Sequence, residues 1–448
     1  MAEWHAVILA GGKGSRMGGD QPKVLRPICG VPMIRLVSDV IREAGIMDTV
    51  VVVPDDYESI QAVLPKDTRF AIQHSQLGTG DAVLRSLSRI DEDANGHIVV
   101  LNADVPLLKP STIQSLVEVH IASDAVMSLL TASGDFSDSL GSISRGDEGR
   151  VVSIVEGERF SEVVKYHEIN VGLYCFRVEW LVRNLQRLKP AKSGEFYITD
   201  LVELAEQGQE IVADLKLRET TQALGVNTLS ELADADELLR SRIRNYWIDS
   251  GVYMMDRQSV QIDWNVTIGE GTSILPNTIV LGETSIGGNC EIGPGSLIRD
   301  SRIGTHCRVT SSVIEGAIIE NKVDIGPFSH LRHDAYIESG VHIGNYAEVK
   351  ASRIGKGSKM GHFSYMGDAD VGSNVNIGAG TVTCNFDGVQ KHRAVVGNDV
   401  FLGSDTMLVA PVKIGDRART GAGAVVTKDV PADVLVAGVP ARIVPKST

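Results

Sequence analysis

A chain of 448 residues with 43% hydrophobic content carries enough apolar material for two or three separate cores. Its formal charge of −14 disfavours nonspecific nucleic-acid binding, so any anionic ligand must be held by local basic groups and backbone amides. Cys29, Cys175, Cys290, Cys307 and Cys384 are odd in number and include no CxxC pair, which argues against a disulfide framework and a zinc site. The opening MAEWHAVILAGG lacks a basic n-region and a long apolar run, and no stretch approaches the length of a membrane span. A cytoplasmic protein is expected, with neither membrane nor nucleic acid as partner.

The first element is the apolar run 5–10 (HAVILA), a short buried strand that breaks into Gly11, Gly12, Lys13, Gly14, Ser15 and Arg16. Runs at 49–53 and 97–101 alternate with helical stretches at 34–45 and 80–90, which predicts an α/β sheet with ligands at the carboxyl ends of its strands. Leu229, Leu232, Ala235, Leu238, Leu239, Ile243 and Tyr246 then follow helical spacing, so a helical arm is expected. The expected organisation is an α/β domain at 1–227, a helical linker at 228–250 and a third region at 251–448.

In that third region a small aliphatic residue recurs at about every sixth position: Ile268, Ile274, Val280, Ile286, Ile292 and Ile298, resuming in phase at Leu331, Ile337, Ile343 and Val349. A period of six is neither the two of a strand nor the 3.6 of a helix; it requires a coil that turns a corner at each repeat. Three hexads close one triangular turn of a parallel β-helix, with each aliphatic side chain stacking on its equivalent about 4.8 Å away. The high glycine content, 46 residues, and the low aromatic content, 5%, suit a thin coil with tight corners.

Chemistry enters first in the loop after the first strand. Its glycines let backbone amides approach a phosphate, Lys13 and Arg16 supply positive charge, and Lys23 follows in DQPK. The loop is not a Walker loop, since no Gly-Lys-Ser/Thr triplet follows, nor does it carry the dinucleotide fingerprint. On its own such a turn is as well explained by chain reversal. The longer string LAGGKGSRMGGDQPKVL (9–25), with QLGTGDA (76–82), NADVPLL (102–108), IVEGE (154–158), EINVGLY (168–174), GEFYITD (194–200) and GVN (225–227), resembles the sugar-1-phosphate nucleotidyltransferases. Together with the hexad coil, the order resembles the family of bifunctional N-acetylglucosamine-1-phosphate uridylyltransferases and glucosamine-1-phosphate acetyltransferases, over nearly the full chain.

The resemblance implies a Rossmann-like α/β nucleotidyltransferase domain, a helical linker and a left-handed parallel β-helix of hexapeptide repeats. By it Leu9, Ala10, Gly11, Gly12, Gln73, Gly78 and Thr79 would hold uracil and ribose of UTP, while Arg16 and Lys23 would neutralise the triphosphate. Asp104 and Asn227 would bind Mg²⁺, and Asn102, Gly141, Glu156 and Asn170 would lie along the nucleotide and sugar path. One carboxylate and one amide suffice for Mg²⁺, because phosphates and water complete its octahedron. A turn aspartate before Pro106 is the bland reading of Asp104. Its place after an apolar strand, where α/β sites lie, favours the metal role.

In the coil, Arg332, Lys350, His362, Tyr365, Asn376 and Lys391 interrupt the aliphatic rhythm at spacings near multiples of one turn, so several can gather at one edge. Between Thr383 and Arg393 the hexads fail, which predicts an excursion loop. A single charged residue on a coil is ordinarily a solvated outward side chain; a cluster beside GHFSYMGDA (361–369) and NIGAGT (376–381) is less easily dismissed. These blocks resemble the acetyltransferase half of the family. His362 would then be the general base for the amine of glucosamine 1-phosphate, Arg332 and Lys350 a phosphate clamp, and Tyr365 and Asn376 sugar contacts. Ala379, Asn385, Phe386, Lys391, Ser404 and Ala422 would line the acetyl-CoA path. Phe386 stands where the family often has Tyr, and Gly438 where some members place an Arg, with Arg442 as candidate replacement.

Acyltransferases of this build resemble trimers with sites between subunits, so a homotrimer is expected. Two other classes stay open: a monofunctional nucleotidyltransferase whose coil is an oligomerisation or regulatory scaffold, and a nonenzymatic scaffold keeping both folds. The Arg16, Lys23 and Asp104 set speaks against the latter, the His362 cluster against the former.

Overall fold

The computed structural model describes residues 3–12, 17–18, 21–90, 96–134, 141–146, 149–156 and 167–445. The chain divides into two compact units, Met1–Leu239 and Arg240–Thr448. That division falls inside the helix Leu229–Asp249, so each unit takes part of the expected arm. Its apolar stripe is buried at Ala235, Leu239 and Ile243, whereas the outlying Leu229 and Tyr246 are exposed.

The first unit is built on a sheet whose order is Val212–Lys216, Met127–Gly134, His167–Arg177, His97–Asn102, Trp4–Leu9, Asp48–Val53 and Arg69–Ile72. The last four run parallel, and His167–Arg177 is antiparallel to both its neighbours. Central strands buried on both faces must be apolar at every position, not at alternate ones. Accordingly Ala6, Ile8, Val51, Val53, Val99 and Leu101 pack into one core, while Val7, Val50, Val52, Ile98 and Val100 pack into another across the sheet. Trp4–Leu9 has His97–Asn102 on one side and Asp48–Val53 on the other, so the chain leaving its carboxyl end opens the crevice where α/β folds take ligands.

The second unit is the left-handed parallel β-helix. Its short strands stack into three sheets, among the described residues, pairing in parallel with their equivalents one turn on, except that Arg442–Ile443 folds back antiparallel on Leu435–Ala437. The predicted inward residues Ile268, Ile274, Val280, Ile286, Ile292, Ile298, Leu331, Ile337, Ile343 and Val349 are all buried. Ile268 pairs with Ile286, a turn of 18 residues, but Ile298 pairs with Ile314 and Ile314 with Leu331, turns of 16 and 17. Leu331 therefore regains the same sheet by register and not by an unbroken count of six. Asn376 pairs with Phe401, a step of 25 residues, because 385–393 leaves the coil as the predicted excursion.

Candidate active sites

The first site forms where the carboxyl ends of Trp4–Leu9 and His97–Asn102 lie side by side, Leu9 in register with Asn102. A cleft of ≈ 300 Å³ there is lined by Leu9, Ala10, Gly11, Gly12, Lys23, Gln73, Gly78, Thr79, Asn102 and Asp104. Gly11 lets Gln73 Oε1 lie close, since a Cβ there would sit 2.8 Å from it. Gly78 is needed twice over: its φ is +94°, and a Cβ would lie 2.6 Å from the Phe196 carbonyl oxygen. Gln73 is a brace as well as a lining group, donating through Nε2 to Gly78 O at 3.1 Å and Asp81 Oδ2 at 2.9 Å. The Thr79 hydroxyl accepts the Ile198 N–H at 3.0 Å and so fastens the segment that brings Glu195 and Tyr197 to the cleft.

Lys23, nearly buried, donates to Asp104 Oδ2 at 2.7 Å and to Asn227 Oδ1 at 2.9 Å. Asn227 reaches Asp104 because the Val226 N–H donates to the Asp104 backbone oxygen at 2.8 Å. It is then locked by a capping box: Glu231 Oε2 accepts the Asn227 and Thr228 amides at 2.7 and 2.8 Å, and Thr228 Oγ1 accepts the Glu231 amide at 3.2 Å. Thr228-x-x-Glu231 is readable in the sequence and would have located the helix start. Among the described residues no three His, Cys, Asp or Glu side chains gather as a metal cluster. The fit to a hard cation rests instead on the two oxygens that converge on one ammonium, which is the donor set of an ion that completes its shell with phosphate and water.

Beside the cleft, the Asn170 N–H donates to Gly141 O at 2.8 Å. A Cβ on Gly141 would lie 3.4 Å from Glu156 Oε1, and that carboxylate accepts from Thr199 Oγ1 at 2.8 Å. Gly141, Glu156 and Asn170 are thus neighbours, joined to the cleft through the 195–199 segment. Asn170 Nδ2 donates to Tyr174 Oη at 2.6 Å, and burial holds that phenol protonated by pushing its pKa up. Lys13 and Arg16 lie outside the described residues.

The second site is a matter of register. Lys359–His362 pairs with Asn376–Ile377, Asn376 with Phe401, Phe401 with Arg419 and Arg419 with Leu435. Three residues on, therefore, His362, Ala379, Ser404, Ala422 and Gly438 occupy equal positions on successive turns. Arg442 sits beside the end of this column, paired across from Ala437. Around the next corner Arg332 and Lys350 hold equal positions, as Leu331 pairs with Val349, and Tyr365 pairs with Glu348. Arg332 donates to Glu348 Oε1 at 2.8 Å.

Lys391 returns from the excursion to Lys350; its hydrogen-bonding contact and its charge, with smaller effects from burial and Arg332, hold the Lys350 ammonium below its ordinary range. Like charges gathered around Lys350 are an arrangement that an anion relieves. Lys391 thereby joins the Arg332 and Lys350 group. Asn385 is buried and donates to Asp368 Oδ2 at 2.5 Å, and Phe386 is 60% exposed. His362 is exposed, with Asn345 Oδ1 at 3.2 Å from its Nδ1.

Residues 6–210 match the MobA-like NTP transferase domain, and residues 265–300 and 393–428 match the bacterial transferase hexapeptide repeats. The chain is 42% identical over 432 residues to the bifunctional protein GlmU of Heliobacterium modesticaldum, covering 96% of this chain and 94% of that one. The chain belongs to the GlmU family. GlmU of Caldanaerobacter subterraneus is 41% identical over 438 residues, 97% of this chain and 95% of its own length. GlmU of Desulfitobacterium hafniense is 38% identical over 436 residues, 97% and 96% respectively. Membership at this coverage takes in both units, the cleft and the coil alike.

Proposed function

We propose that this GlmU-family chain carries out two successive group transfers. In the coil, acetyl-CoA and glucosamine 1-phosphate give N-acetylglucosamine 1-phosphate. In the α/β unit, that product and UTP give UDP-N-acetylglucosamine and pyrophosphate. The observation that carries the reading is that one chain gathers two unlike sites. Lys23, Asp104 and Asn227 converge at the sheet crevice, and His362 heads a column while Arg332 and Lys350 stack on successive turns around the next corner.

For uridylyl transfer a sugar phosphate oxygen attacks the α-phosphorus of UTP, a P–O bond forms, and the bond to pyrophosphate breaks. The attacking oxygen is already anionic, so no base is required and catalysis is alignment and charge neutralisation. Leu9, Ala10, Gly11, Gly12, Gln73, Gly78 and Thr79 seat the nucleoside, and Asn102, Gly141, Glu156 and Asn170 the sugar. Lys23, with Arg16, offsets the negative charge of the triphosphate. Asp104 and Asn227 would hold Mg²⁺, which would supply neutralisation of the phosphate charge at this site.

For acetyl transfer the amine must first lose a proton, since an ammonium has no lone pair. His362 takes it, the nitrogen attacks the thioester carbonyl, a C–N bond forms and the C–S bond breaks. The thiolate of CoA leaves and takes the second proton, which the nitrogen sheds as it becomes an amide. Arg332 and Lys350 hold the sugar phosphate, Tyr365 and Asn376 the ring, and Ala379, Asn385, Phe386, Lys391, Ser404 and Ala422 flank acetyl-CoA.

Domain limits at 1–227, 228–250 and 251–448 and a cytoplasmic homotrimer complete the proposal. Support for self-association comes from a corner of the coil where Phe328 and Tyr346 stack at 5.4 Å and, with Phe363 one turn on, lie 57–63% exposed. Crossing several NTPs with several sugar 1-phosphates, with and without acetyl-CoA, tests the reading. Pyrophosphate release is expected with UTP and N-acetylglucosamine 1-phosphate, and free thiol with acetyl-CoA and glucosamine 1-phosphate. Absence of thiol would leave the coil a scaffold.

A further inference from the structure

We propose that Asn345 is a positioning residue that sets the tautomer of His362, so that Nε2 presents the lone pair to the amine. This rests on the reading of His362 as the base. His342–Asn345 and Lys359–His362 are the only strands of four residues in their sheet among the described residues; the others hold two or three. Their extension carries the pairing through to Asn345 opposite His362. Each of the two residues follows a glycine, and a Cβ built on Gly344 would collide with the Gly361 carbonyl oxygen. Glycine at 344 therefore lets the backbones of the two turns close at this corner and brings the side chains together. The geometry is a Gly-Asn stacked on a Gly-His.

The atom that faces His362 Nδ1 is Asn345 Oδ1, at 3.2 Å. An amide oxygen only accepts, so Nδ1 carries the hydrogen and Nε2 does not. When the amine gives its proton to Nε2, the imidazolium keeps Nδ1–H on the same acceptor, and the ring need not turn during the reaction. An amide also differs from a carboxylate at this place: it orients the ring without adding a charge that would favour the protonated form and hold the base out of action. Both groups are polar and exposed or half-buried, so packing alone does not fix the ring. The register and this acceptor do.

The test uses the full chain with Asn345→Leu and Asn345→Asp beside His362→Ala. Asn345→Leu removes the acceptor at similar size and is expected to lower kcat for acetyl transfer by on the order of 10²-fold, the loss typical of a misplaced reacting group. KM for both substrates should stay within about 2-fold. Asn345→Asp keeps an acceptor and should recover most of kcat at high pH, while the acidic limb of its pH–rate profile moves upward by about one unit. Nitrogen-15 shifts of His362 should report the Nδ1–H tautomer in the parent and a mixture in Asn345→Leu. Uridylyl transfer, measured on the same samples, controls for folding. An Nε2–H tautomer in the parent, or parental kcat and pH profile in both Asn345 variants with His362→Ala inactive, would overturn the role of Asn345 alone. Full acetyl transfer by His362→Ala would instead overturn the base on which it rests.

Discussion

In the α/β unit the cleft is assembled from loops distant in sequence, and each arrives by its own local device. Gly78 allows close approach, Thr79 pins the 195–199 segment, and the Val226 backbone bond brings Asn227 to Asp104, where a capping box holds it. In the coil the same task is done by one device repeated: a side chain placed at a given position of one turn stands over its equivalent on the next. The difference teaches where each site is fragile. A cleft of separate loops fails at any single brace, whereas a stacked site is set by register and tolerates change except at the groups that do the chemistry and at those that orient them.

The sharpest separation between the two regions is expected from His362→Ala. Loss of a positioned base lowers acetyl transfer by ~10²–10⁴-fold, with uridylyl transfer intact. Assays of thiol release and pyrophosphate release on one preparation check both halves. Next in size, Asp104→Asn removes the one carboxylate of the convergent pair. Uridylyl transfer should fall by on the order of 10²-fold, about 2.7 kcal/mol of barrier and part of what a catalytic cation supplies. Acetyl transfer should persist in EDTA, and a strict Mg²⁺ requirement for it would erase the distinction.

A smaller effect tests the brace argument directly. Gly78→Ala places a Cβ 2.6 Å from the Phe196 carbonyl oxygen at a φ of +94°, a strain of about 1–3 kcal/mol. The first unit should unfold at lower denaturant and lose uridylyl transfer through a raised KM, while acetyl transfer is unchanged. Parental stability in this variant would mean that the loop simply moves aside.

The smallest effect concerns acid. Burial first, and then the charges near His97 and Arg177, push His120 down from 6.5 to about 4. Below pH 6.5 the unfolded chain takes up this proton and the folded chain resists it. Stability tied to the neutral ring is therefore fully present above pH 6.5 and is lost as pH falls towards 4. His120→Gln should flatten that part of the slope in urea unfolding of the first unit, and an identical slope would exclude His120 as its source.

Much of the architecture was legible because it obeys simple periods. Strands buried on both faces read as the unbroken runs at 5–10, 49–53 and 97–101, and the inward Ile and Val residues of the coil recur near every sixth position. The count itself was less secure, since the turns between Ile298 and Leu331 shorten while the strands keep their register. Pairing energy fixes which residues stack; corner length is free to vary by one or two. At the sites, the glycine loop and the His362 cluster stood out by composition. The meeting of Asp104 with Asn227 followed only from the family resemblance and not from composition or spacing, because a backbone hydrogen bond from Val226 creates it. Asn345 did not stand out, although the Gly-Asn at 344–345 lies one turn ahead of the Gly-His at 361–362 and repeat phase would have found it.

The central claim is that one chain holds two active sites, each complete without the other's chemistry. Full-length His362→Ala and Asp104→Asn proteins, each defective in one half, should be mixed and given glucosamine 1-phosphate, acetyl-CoA, UTP and Mg²⁺. The account predicts that UDP-N-acetylglucosamine appears after a lag, as product of one protein accumulates for the other. If each variant keeps its own half-reaction and the mixture still yields no nucleotide sugar, the two-site account is contradicted.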